Sequence, residues 1–112
     1  MLDKSKKPVP MEKSIVTSIL KYLNSLPGCH ARKVAGTDNQ AGEPDIDACY
    51  YGRTLKLEVK RPKPFGNDGT KLQLATLAKW KAAGAVTGIV RSVDDVKAII
   101  QEVDKERWEE PK

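Results

Sequence analysis

Asp45 and Asp47 are two residues apart in PDIDACYY, and Glu58 and Lys60 are two apart in TLKLEVK. A spacing of two places side chains on the same face of an extended strand, so each segment gathers its charges on one side. The intervening residues are apolar: Ile46, Ala48 and Tyr50 alternate with the first pair, and Leu55, Leu57 and Val59 with the second. With Gly52 and Arg53 as the two loop residues of a hairpin, Tyr51 is set opposite Thr54, Asp47 opposite Glu58, and Asp45 opposite Lys60. The expected sheet has one apolar side for a core and one side bearing three carboxylates and an amine. Hard oxygen ligands such as Asp45 and Glu58 suit Mg2+ or Mn2+, ions that stabilise the charge developing in phosphoryl transfer. The Lys60 amine on the same face could hold an attacking water or neutralise the transition state.

Other chemistries lack their residues. A single histidine, His30, excludes the usual paired-histidine metal motifs and speaks against a Ser-His-Asp triad, which leaves it as a structural residue or a phosphate contact. Neither a G-x-x-x-x-G-K-[ST] phosphate loop nor a G-x-G-x-x-G fingerprint occurs. Cys29 and Cys49 have no C-x-x-C spacing and are expected to be reduced, small core residues. The 20 Lys and Arg against 15 Asp and Glu give a net charge of +5, which favours a polyanionic partner. Arg53, Lys56, Lys60, Arg61, Lys63, Lys71, Lys79 and Lys81 surround the acids in sequence, so a phosphodiester substrate fits the setting. No apolar run approaches the roughly 20 residues that span a bilayer, and the first residues lack the apolar stretch of a signal peptide. A cytoplasmic protein without a membrane partner is expected.

The elements that must position these groups follow from periodicity. The 112 residues suit one domain, with a flexible basic leader over 1–10 (Lys4, Lys6, Lys7, Pro8, Pro10), the domain over 11–108 and a short tail over 109–112. MEKSIVTSILKYLNSL repeats Ile15, Val16, Ile19, Leu20, Leu23 and Leu26 at helical spacing and closes at Pro27-Gly28. CHARKVA (29–35) reads as a strand, GTDNQAGEP (36–44) as a loop, and the hairpin follows. After the loop RPKPFGNDG, the segment TKLQLATLAKWKAAG predicts a second helix closed by Gly84, with Leu77 and Trp80 in the core. AVTGIVR (85–91) predicts a strand. Ser92 and Asp95 form a capping signal for a last helix that buries Val96, Ile99, Ile100 and Val103. The order is α, β, β, β, α, β, α: an α/β domain with a small mixed sheet flanked by helices. Tyr50, Tyr51 and Phe65 are read as packing residues rather than base contacts.

Two further polar groups fall on buried stripes. Glu12 shares the stripe of Ile15 and Val16 at the start of the first helix, and Gln73 shares that of Leu77 and Trp80 near the start of the second. Each has a plain alternative: Glu12 as an acid favoured by the helix dipole, and Gln73 as a cap. Likewise Asp45 could be a turn acid, and Glu58 with Lys60 could be charge partners on a solvated face.

Pro44-Asp45 followed by Glu58-Val59-Lys60 resembles the PD-(D/E)XK nuclease pattern. The fuller set resembles its VRR-NUC branch: a helix-borne Glu12, Gly42-Glu43-Pro44-Asp45, Glu58-Val59-Lys60, Gln73 in the next helix and Gly84-Ala85, in that order over nearly all of 11–103. The resemblance implies a restriction-endonuclease-like αβββαβ core. It also implies a catalytic set of Glu12, Asp45, Glu58, Lys60 and Gln73, and a metal held by Glu12, Asp45, Glu58 and the Val59 backbone carbonyl. Asp47 lies outside the pattern and is read as a supporting or surface acid. The implied activity is a Mg2+- or Mn2+-dependent DNA endonuclease acting on branched or flap DNA, Holliday-junction-resolvase-like, in replication, repair or recombination. Small stand-alone nucleases of viral and replication-repair settings are similar, which implies a homodimer and is compatible with a phage-encoded protein in a bacterial host. The alternative is a non-catalytic basic nucleic-acid-binding module, and a basic interaction protein that needs no nucleic acid also remains open.

Overall fold

The computed structural model describes residues 9–34 and 41–108. The element order is α1 (Glu12–Ser25), β1 (Cys29–Lys33), β2 (Ile46–Tyr50), β3 (Arg53–Val59), α2 (Lys71–Ala82), β4 (Val86–Val90) and α3 (Val93–Trp108). The strands form one sheet in the order β1-β2-β3-β4. β1, β2 and β3 run antiparallel, and β4 lies parallel to β3, which makes the sheet mixed. Expectations for the leader and tail fall on residues 1–8 and 109–112, outside the described residues, as does most of the 36–44 loop. No helix among the described residues is long and apolar enough to cross a membrane.

Alternation in β2 and β3 builds the core on one face. Ile46, Ala48 and Tyr50 join Leu55, Leu57 and Val59 beneath Ile15, Val16, Ile19 and Leu23 of α1 and Val96, Ile100 and Val103 of α3. Burying such side chains stabilises by roughly 1.5–3 kcal/mol each, so this layer holds α1 and α3 to the sheet. On the opposite face Lys56 and Lys60 reach Trp80 and Gln73 of α2, which covers that side. The edge strand β1 is fastened to α1 by Asn24, whose amide accepts from the Ala31 N–H at 2.8 Å and donates to its carbonyl at 3.0 Å.

The hairpin register differs from the one read off the sequence. Tyr50 pairs with Arg53, Asp47 with Lys56 and Ile46 with Leu57, so the loop residues are Tyr51 and Gly52 rather than Gly52 and Arg53. Both have positive φ, 47° and 82°, the backbone of a primed turn, and Gly52 supplies the second position without a Cβ penalty. Arg107 at the end of α3 lies 3.7 Å over the Tyr51 ring and holds this left-handed tyrosine in place. The pairing moved by an even number of residues. Each side chain therefore kept its face and changed only its partner.

Several packing expectations are corrected. Cys49 is exposed and Cys29 only half-buried, because Cys49 shares the outer face with Asp47 while Cys29 sits at the sheet edge. Tyr51 and Phe65 are exposed on turns, whereas Tyr50 is buried and donates its hydroxyl to Asp104 at 2.7 Å. Trp80 is partly buried outside the core, since α2 lies on the polar face of the sheet. His30 is exposed on β1.

Candidate active site

Pro44 ends the ladder that brings Asp45 to the site. The last paired residues are Ile46 and Leu57, and continuing that register sets Asp45 opposite Glu58 and Pro44 opposite Val59. A proline has no N–H to donate, so the ladder bond that another residue would make to the Val59 carbonyl is missing. The Val59 N–H turns to the Asp45 side chain and donates to Oδ2 at 2.8 Å. The Asp45 carboxylate thus replaces the next rung of the sheet, while its backbone carbonyl accepts from the Val34 N–H on the β1 side at 2.9 Å.

Glu58 and Lys60 project from β3 and its first following residue, and both are buried, at 3% and 8% exposure. Charged side chains rarely bury without partners. The Lys60 ammonium lies 3.3 Å from Glu58 Oε2 and donates to Gln73 Oε1 at 2.9 Å. The other Glu58 oxygen, Oε1, is buried with no hydrogen-bond partner among the described residues. Burial, and then the Asp45 charge, push the Glu58 carboxyl up from 4.5 to about 7. Lys60 pulls the other way, and Glu12 adds the smallest push. A carboxyl whose pKa is raised by burial and then by a neighbouring carboxylate is a candidate to take a cationic partner.

Gln73 serves two roles at once. Its Oε1 accepts from Lys60 and also from the Thr70 N–H at 2.9 Å, while the Gln73 N–H donates to Thr70 Oγ1 at 3.1 Å. This is a capping box, so the alternative of a helix cap and the inward placement at the site both hold. Glu12 sits exposed on the first turn of α1 and reaches Glu58 only through its charge. Among the described residues no three His, Cys, Asp or Glu side chains stand together as a metal-holding group. The fold therefore brings Asp45, Glu58, Lys60 and Gln73 together and leaves Glu12 beside them.

No family model matches the sequence, and no curated protein matches it. Two solved structures share the architecture. A VRR_NUC domain superposes with a TM-score of 0.67 at 22% identity, covering 80% of this chain and 94% of the other. A VRR_NUC domain protein superposes with a TM-score of 0.65 at 16% identity, covering 84% and 88%. The chain has the VRR-NUC fold.

Within this fold α2 lies across the polar face of the sheet and shelters it. The structure also shows groups that spacing had not singled out. The Trp80 indole N–H donates to Glu43 Oε2 at 3.1 Å, and Lys56 lies 3.7 Å over the same ring while donating to Asp47 at 2.8 Å. These contacts tie the segment bearing Pro44 and Asp45 to α2. Asp47, also 3.6 Å from Arg32, is paired with this cation and with Lys56 on the same sheet face as Glu58. Glu43 and Trp80 are 37 residues apart, and no periodicity links them.

Proposed function

We propose that this VRR-NUC fold is a Mg2+- or Mn2+-dependent DNA endonuclease that hydrolyses phosphodiester bonds, acting on branched or flap DNA in replication, repair or recombination. The observation that carries this reading is the buried Glu58 beside a half-buried Asp45, closed by Lys60 and Gln73. The donor set fits a hard divalent cation: two mutually repelling carboxylates, an orphaned Glu58 Oε1 and a Val59 carbonyl opposite a proline. Asp45, Glu58 and the Val59 carbonyl would hold the ion, and Glu12 would tune it from the helix start. When bound, the ion supplies Lewis-acid polarisation of a phosphodiester oxygen.

The chain's own residues do the rest. Lys60, held between Glu58 and Gln73, presents a fixed cation where negative charge grows on the phosphate. Gln73 keeps that ammonium aimed, because its oxygen is anchored by the Thr70 N–H. The Val59 N–H holds Asp45 in one orientation, which leaves its second oxygen for a ligand. The net charge of +5 favours the approach of a polyanion.

A panel of single-stranded, duplex, flap and four-way DNA with Mg2+, Mn2+ or EDTA tests the proposal. Metal-dependent cutting strongest on flap or four-way DNA is expected, and salt-sensitive retention of DNA without any cutting would favour the binding-module alternative. Sedimentation of the same sample tests the homodimer that the sequence resemblance implies.

Gln73→Ala is expected to slow cleavage about 10-fold and, by removing the capping box, to cost about 1 kcal/mol of stability. Leu77→Ala should instead cost about 2–4 kcal/mol through the cavity it leaves, with the rate per folded molecule unchanged. Thermal melting beside single-turnover rates separates the two. Equal specific activity in both variants would reduce Gln73 to a cap.

A further inference from the structure

The segment from Arg61 to Thr70 leaves the site and returns to it. It starts at the residue after Lys60, and it ends at Thr70, whose N–H shares the Gln73 oxygen that Lys60 also holds. Between those anchors it is pinned from within and from outside. The Phe65 and Gly66 N–H groups both donate to the Pro62 carbonyl, at 3.0 and 3.2 Å. The Arg91 guanidinium donates to the carbonyls of Arg61 and Asn67 at 2.7 and 2.8 Å. A Cβ on Gly66 would lie 2.1 Å from the Arg61 carbonyl oxygen, so only glycine lets the turn fold back onto Arg61.

This construction displays one aromatic ring. Phe65 is 58% exposed on this turn. The Arg61 guanidinium lies 5.0 Å over it and is itself fixed by donation to the Pro10 carbonyl at 3.2 Å, just ahead of α1 and Glu12. Lys63 adds a second cation, which Asp68 pairs with at 2.6 Å, and Lys71 opens α2 beyond. An aromatic face held rigidly among cations and tethered to both ends of a phosphodiester site matches how bases of unpaired strands are bound.

We propose that Phe65 and Arg61 form a stacking platform for an unpaired base next to the phosphate that is cut, which makes single-stranded character beside the cut site the feature this protein recognises. This rests on the nuclease reading. A base in an intact duplex has both faces covered by its neighbours, so the platform discriminates against it, while a flap or a frayed junction offers a free face.

The test is binding in EDTA, where no cleavage intervenes. Oligonucleotides are fully paired or carry a single-stranded flap with 2-aminopurine at one of its first three unpaired positions. Wild type should bind the flap more tightly than the duplex and quench one of the three probes. Phe65→Ala should lose about 10-fold or more in flap affinity together with the quenching, while its duplex affinity stays unchanged. Phe65→Trp should restore both. Equal flap-to-duplex ratios in wild type and Phe65→Ala, or no DNA binding by wild type, would overturn the proposal. Cleavage is scored separately with Mg2+: a wild type that stacks the flap yet never cuts refutes the nuclease reading, whereas one that cuts with Phe65→Ala retaining the wild-type ratio refutes the platform alone.

Discussion

Glu58→Gln is expected to abolish cleavage and, in the same preparation, to raise the melting temperature of the metal-free protein at pH 8. Both effects come from one carboxylate. Burial and Asp45 hold the Glu58 carboxyl near 7 in the folded protein, against 4.5 as its ordinary value. A raised carboxyl pKa means that the folded state binds a proton more tightly than the unfolded chain does. Stability contributed by that proton is present at low pH and is lost as pH rises from 4.5 to 7, a change of order 3 kcal/mol. Glutamine needs no proton to sit neutral in the same space. The metal-free variant should therefore gain about 1–3 kcal/mol at pH 8, offset partly because Lys60 loses its counter-charge, and should gain little at pH 5. Cleavage should fall at least about 1000-fold, since several kcal/mol of transition-state stabilisation depend on the ion that Glu58 would help to hold. Melts at pH 5 and pH 8 in EDTA, repeated with Mg2+, check the linkage. A wild type equally stable at both pH values, or a variant that still cuts, would sink this account of Glu58.

Lys60→Ala is the second large effect, and it separates rate from binding. Lys60 is 8% exposed and its ammonium meets only Glu58 and Gln73 among the described residues, so it is a charge held in place by two partners. Removing a preorganised donor of this kind costs about 100- to 1000-fold in turnover. Affinity for DNA and for Mn2+ should change far less, because the carboxylates and surface cations remain. The loss of a cation beside Glu58 also lets that carboxyl hold its proton to still higher pH, since Lys60 is what pulls its pKa down. The rate-against-pH profile of the residual activity should accordingly shift to higher pH. An unchanged single-turnover rate would show Lys60 to be only the partner that keeps Glu58 buried.

How far the site was legible depended on which interactions were local. Alternation in DIDACYY and TLKLEVK placed Asp45, Asp47, Glu58 and Lys60 on one face, and that face survived the error in the turn because parity outlasts an even change of register. The partners did not survive it. Whether Asp45 meets Lys60 or Glu58 turned on Tyr51 accepting a left-handed backbone, which Arg107, 56 residues away, supports by stacking on its ring. Gln73 shows the same division. Thr70 and Gln73 are three residues apart, so their cap could be read from the sequence, whereas the bond to Lys60 spans 13 residues and needs α2 laid across the sheet.

The sequence by itself determined the element order, the inner faces of β2 and β3 and the apolar stripes of α1 and α3, because period and residue type act over a few residues. Only the tertiary structure decided that Asp45 confronts Glu58, that Lys60 is buried between Glu58 and Gln73, that Cys49, Trp80 and Phe65 lie outside the core, and that Arg91 pins the turn presenting Phe65. Those outcomes depend on desolvation and on contacts between segments distant in the chain, and neither is a property of any short stretch of residues.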